Sequence, residues 1–159
     1  MTKMLLNRLN ADYKELEHEL KTKLPEEIAK AAALGDLSEN AEYEAALDRQ
    51  RLLQSKARTL KARINEIAQV DLSRLHPDRV GYGSIVELFD VDEEKDLSYQ
   101  LVMPEDADAK NQRISISSPI GKALMGKYLD DEVRIVIPSG KKHFEITGLK
   151  TYKDTEMDL

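Results

Sequence analysis

Two periodicities divide these 159 residues into an α+β protein of two parts. In the first half, apolar residues recur at alternating intervals of three and four, the repeat of helices packed as a coiled coil. From Val80 onward the period falls to two, with turn residues between short β-branched runs. A polar stretch beginning at Gly35 interrupts the helical half near its middle. The expected fold is an antiparallel α-helical coiled-coil hairpin over 1–75, followed by a mostly antiparallel sheet domain with one short helix over 76–159.

The hairpin follows from spacing. Leu6, Leu9, Tyr13, Leu16 and Leu20 form one apolar strip; Leu53, Ala57, Leu60, Ile64 and Ile67 form a second. Folded back on each other, Leu6 meets Ile67, Leu9 meets Ile64 and Leu20 meets Leu53, which puts the pivot between Asp36 and Leu37. Flanking charges agree: Asp12, Glu19 and Glu26 fall opposite Arg63, Lys56 and Arg49. At 1.5 Å per residue, Leu6 to Leu34 makes an arm of roughly 40 Å.

Helix one is expected from about Thr2 to Leu34, with a kink or break where Pro25 removes a backbone donor. Gly35 supplies the positive φ that ends it. Helix two is expected to start at the tip, near Asp36, and run to about Gln69. Its first part, Asp36 to Asp48, has five acids and no base, whereas Arg49 to Arg63 has six bases and no acid. Acids favour a helix N-terminus, and the bases suit pairing with helix one.

Ser73 to Asp78 reads as the linker. Strands are expected at 84–89, 98–103, 113–117, 132–137 and 143–147, with Pro138-Ser139-Gly140-Lys141 turning the last two into a hairpin. Asp90 to Asp96 reads as a solvated loop. Pro119 opens one short helix, and Thr151 to Leu159 reads as a frayed tail.

Composition excludes several functions. Without cysteine there is no disulfide scaffold or thiolate metal site, and the three histidines are scattered. The apolar cluster Met4-Leu5-Leu6 is too short for a signal-peptide core, so a soluble, cytoplasmic protein is expected, with no membrane partner. The net charge of −6 comes from the second half, because residues 1–75 hold 13 bases and 13 acids. That balance argues against gripping a nucleic-acid duplex through its phosphates.

The chemistry-bearing candidates are Asp36 and Glu39. A capping box accounts for them as Asp36 at the N-cap and Glu39 reaching back to its amide. Their place at the far end of a long arm suggests instead a probe that completes another macromolecule's active site. Two carboxylates alone make an incomplete site for a divalent cation, with the other oxygen ligands coming from a partner.

The run Gly35-Asp-Leu-Ser-Glu-Asn-Ala-Glu-Tyr43 with Ala45-Ala46 closely resembles the tip signature of the Gre family of bacterial transcript-cleavage (transcription elongation) factors, on its GreA-like branch. Ile114-Ser-Ile-Ser-Ser-Pro-Ile-Gly-Lys-Ala-Leu-Met-Gly-Lys127 resembles the same family's C-terminal segment. The resemblance implies an FKBP-like second domain docking at the rim of the RNA polymerase secondary channel through Ser118, Pro119 and Ile120. It implies a hairpin that reaches the polymerase active site and stimulates cleavage of the 3′ end of backtracked RNA. Asp36 and Glu39 would help hold a Mg²⁺ shared with the polymerase, bound only in that complex, and orient the attacking water. Asn40 and Tyr43 would support the tip or contact the RNA end. The chain would be a monomer and not an enzyme in isolation.

One departure stands out: the positions aligned with the family's basic patch are Ala32 and Leu47, with Lys30 and Arg49 the nearest bases. Three other readings compete. A channel-binding inhibitor without cleavage stimulation conflicts with retention of both acids. An FKBP-like isomerase or chaperone conflicts with a second half that has only Phe89 and Phe144, few tyrosines and no tryptophan. A plain coiled-coil adaptor would leave the tip a mere cap.

Overall fold

The computed structural model describes residues 1–36 and 40–157. It divides into two units, Met1–Val70 and Asp71–Leu159. The division falls ahead of residue 75 because Asp71 caps a 3-10 turn, Leu72–Arg74, that belongs to the second unit.

The first unit contains α1 (Thr2–His18), a π-helical turn (Glu19–Lys23), α2 (Leu24–Ala32) and α3 (Ala41–Ala68). Along α3 the repeat runs unbroken through Tyr43, Ala46, Gln50, Leu53, Ala57, Leu60, Ile64 and Ile67, all of them buried or half-buried. Along the first arm it passes through Leu9, Tyr13, Leu16 and Leu20. An uninterrupted α-helix would then bring Lys23, Glu27 and Lys30 to the seam, but all three are exposed. Buried Leu24, half-buried Ile28 and buried Ala31 take those places, each one residue later. The π-helical turn takes up that extra residue: the N–H of Leu24 donates to the carbonyl of Glu19, five residues back.

Of the kink or break expected at Leu24-Pro25, no break occurs: Lys23 and Leu24 keep helical φ and ψ, and the irregularity is the π-helical turn directly ahead of Pro25, the residue without an N–H. The charge pairing also needs correction, because it assumed one heptad phase throughout. Arg49 binds Glu19, its Nε donating to Oε1 at 2.9 Å, rather than Glu26, so Glu19 is not reserved for Lys56. Arg63 pairs with Glu66 along its own helix at 2.8 Å. Lys61 lies 5.2 Å from the ring centroid of Tyr13, a cation–π contact across the seam.

The second unit holds a five-stranded sheet in the order β3-β2-β1-β5-β4. Its strands are β1 (Ile85–Asp90), β2 (Lys95–Val102), β3 (Arg113–Ser115), β4 (Glu132–Ile137) and β5 (Gly140–Lys150). All pairs are antiparallel except β2 with β3. Alternate residues Val86, Leu88, Val133, Ile135, Phe144 and Ile146 line one face, and Leu124 of α4 (Pro119–Leu124) joins their core. The α+β class is as expected.

Two local expectations need refinement. The solvated connection expected over Asp90 to Asp96 is a four-residue hairpin turn, 91–94, between β1 and β2; residues 91–96 are exposed as expected, but Asp90 is 1% exposed. Its Oδ1 accepts from the amides of Asp92 and Glu93 at 3.0 and 3.1 Å, and Lys142 Nζ lies 3.5 Å from Oδ2. These amides, ahead of the Lys142 charge, hold the Asp90 carboxyl below its ordinary range. Where a frayed tail is expected, the described residues after β5 form a second helix, α5 (Tyr152–Met157), and Tyr152 is buried with its ring stacked on Tyr82 at 6.0 Å.

Candidate functional site

At the tip, α2 ends at Ala32 and Gly35 adopts φ +134°, the conformation expected of it. Helix α3 begins later than expected, at Ala41, with Asn40 as its N-cap in place of Asp36. Asn40 Oδ1 accepts from the Tyr43 amide at 3.0 Å, and Nδ2 donates to the carbonyl of Ala31 at 2.5 Å. One side chain thus serves an unpaired N–H at the start of α3 and one of the last carbonyls of α2. Asn40 clamps the two arms together.

Asp36 is thus not the N-cap of α3: Asn40 takes that place, and the third helical position is Tyr43. Asp36 lies outside α3 and is exposed. Glu39, together with Leu37 and Ser38 of the same motif, lies outside the described residues. Tyr43 is half-buried at the last seam position toward the tip, so its ring also packs the hairpin. Ala32 and Leu47 are half-buried, while Lys30 is exposed.

An exposed carboxylate is a hard oxygen donor and suits Mg²⁺ as one ligand among several. Among the described residues, no three histidine or acidic side chains converge to hold a metal. Asp36 fits such an ion as one oxygen ligand.

The docking candidates share one end of α4. Ser118 is its N-cap, accepting from the Gly121 amide at 3.0 Å and donating to the Ser115 carbonyl at 2.7 Å. Pro119 is exposed at the first turn. Ile120 is half-buried against the sheet core, so it serves folding as well as any surface. Gly121 is required by packing, because a Cβ there would lie 2.0 Å from the Ser115 carbonyl oxygen. The resemblance offered Asn40 as tip support without its bonds, and sequence reasoning missed exposed Leu34.

A helical hairpin with an exposed acid at its tip precedes a sheet domain in the chain, the two-part architecture that the sequence predicts. Residues 1–70 match the family model described as "Transcription elongation factor, N-terminal", and residues 75–151 match "Transcription elongation factor, GreA/GreB, C-term". The chain is 40% identical over 150 residues to transcription elongation factor GreA of Pelobacter propionicus, covering 94% of this chain and 95% of that protein. It is 37% identical over 150 residues to GreA of Rickettsia felis, covering 94% and 92%. Among solved structures, GreA factor homolog 1 of Thermus thermophilus aligns over 92% of this chain and 94% of its own, with 24% identity and a TM-score of 0.43. The chain belongs to the GreA/GreB family of transcription elongation factors. The role drawn from its two motifs, a transcript-cleavage elongation factor, stands.

Proposed function

We propose that the chain lends Asp36 and Glu39 to a nuclease reaction that bacterial RNA polymerase performs on the 3′ end of backtracked RNA. The single observation that carries this is the cap of α3. Asn40, not Asp36, caps that helix, and Asp36 stands exposed at the tip beside the clamp. The hairpin enters through the secondary channel, and the sheet unit docks at its rim with the Pro119 end of α4. The chain is a cytoplasmic monomer with no hydrolytic activity of its own.

Mg²⁺, when bound between polymerase and tip, supplies charge neutralisation and Lewis acidity for attack by water on the phosphodiester. Asp36 contributes a fixed negative oxygen ligand, and Glu39 a second. Asn40 holds the ends of α2 and α3 at a set separation, which limits how far Asp36 wanders. Because the acids arrive only with the factor, occupancy of the channel switches cleavage on.

The test adds saturating protein to purified backtracked elongation complexes and follows RNA length. The parent should shorten the RNA. Asp36→Asn keeps shape but loses charge, so it should melt and bind polymerase like the parent. Its cleavage should fall by about 100-fold or more, because losing a charged ligand exceeds the roughly 10–100-fold cost of altering a metal's outer shell. Raised Mg²⁺ should restore part of the rate. Full activity in Asp36→Asn refutes the role.

A further inference from the structure

Between Ala31 and Asp48 the chain carries five carboxylates and neither lysine nor arginine. The nearest bases, Lys30 and Arg49, line a separate groove between α2 and α3, and Arg49 is engaged by Glu19. Asp36 instead shares an open depression of about 410 Å³ with Leu34, Asn40, Ala41 and Glu42. Leu34 is 69% exposed there, and its neighbours Ala33 and Ala41 are exposed too. The surface beside the candidate carboxylate is thus apolar and anionic.

An RNA end offers such a surface two faces. Its phosphates would meet carboxylates with no lysine or arginine among them, whereas its bases present flat, weakly polar faces. Resting on the reading of Asp36 as the cleavage residue, we infer that Leu34 is a substrate contact that packs against the nucleobase of the extruded 3′ nucleotide. The tip holds RNA by the base, not by pairing with phosphate. That contact tolerates all four bases, because each has an apolar face, and it changes little with salt, because no counterion is released.

The experiment uses the full chain with backtracked complexes whose RNA ends in 4-thiouridine, read by photo-crosslinking and by RNA length at saturating factor. Leu34→Ala should melt and bind polymerase like the parent, lose the tip crosslink and cleave about tenfold more slowly, as loss of one large apolar contact predicts. Leu34→Phe should keep both crosslink and rate. The inference is overturned if Leu34→Ala keeps crosslink and rate, or if Leu34→Lys outperforms the parent, which would mean a phosphate contact. It is equally overturned if Leu34→Ala weakens polymerase binding but reaches the parent's rate at saturation, which would place Leu34 against protein. A parent that shortens no RNA refutes the reading of Asp36 itself; a parent that cleaves beside an unaffected Leu34→Ala refutes only the base contact.

Discussion

Deleting Thr22 should leave the hairpin folded, whereas deleting Gln54 should unfold it. Thr22 is exposed and lies inside the π-helical turn. Without it the turn can close as an ordinary α-helix, and Leu24, Ile28 and Ala31 fall on the seam by the three–four repeat that brought Leu9 to Leu20 there. Recovered helical hydrogen bonding, about 1 kcal/mol, is offset by Pro25, which in a regular helix lacks its donor and crowds the carbonyl four residues back. Helix α3 has no spare residue. Removing Gln54 rotates Ala57, Leu60, Ile64 and Ile67 by about 100° relative to Leu53. Three large side chains then leave the seam at about 2 kcal/mol each, roughly 6 kcal/mol in all. A unit of this size has roughly 4–10 kcal/mol of stability in total. Thermal melting followed by helical circular dichroism separates the cases. If the Thr22 deletion loses helicity as the Gln54 deletion does, the π-helical turn does not set the register.

Gly121→Ala should cost the sheet unit about 3 kcal/mol, at the high end for overpacking, because the clash is with the backbone oxygen of Ser115; hydrogen exchange of β4 against α3 would locate the loss. The Asp90 carboxyl titrates below its unfolded value, so its stabilising effect is complete above about pH 4 and is lost as pH falls through the folded value. Asp90→Asn should therefore melt lower at neutral pH and show a shallower fall in acid; an unchanged acid limb would show that Asp90 does not control it.

What could be read from sequence depended on whether the signal was local. The strip from Leu53 to Ile67 and the alternation of Glu132 to Ile137 are local patterns, and both elements lie where the periods put them. The π-helical turn was legible in principle, since extending the repeat past Leu20 lands on Lys23, Glu27 and Lys30. Pro25 drew the irregularity to itself instead. At the tip, Asp36 and Asn40 are equally good caps by residue type, and the choice depends on a bond to Ala31 across the hairpin. Burial of Tyr152 is likewise non-local: it packs where Gly83 leaves room, a Cβ at that position falling 2.4 Å from the ring.

Asn40 separates folding from positioning at the tip. Asn40→Ala loses a cap, at about 1 kcal/mol, and the bond to Ala31, at about 1 more, so the hairpin should lose roughly 2 kcal/mol. Asn40→Asp keeps a capping oxygen but cannot donate to the Ala31 carbonyl, so it should lose about half as much. Both leave Asp36 in place with its charge. If the clamp holds Asp36 in position, both variants should need more Mg²⁺ for half-maximal cleavage than the parent, though less than Asp36→Asn, when assayed well below their melting temperatures and at saturating factor. A purely structural clamp predicts otherwise: once the hairpin is folded, the Mg²⁺ response should match the parent's. A parental Mg²⁺ response in folded Asn40→Ala would therefore confine Asn40 to stability and leave the position of Asp36 to be set by the tip itself.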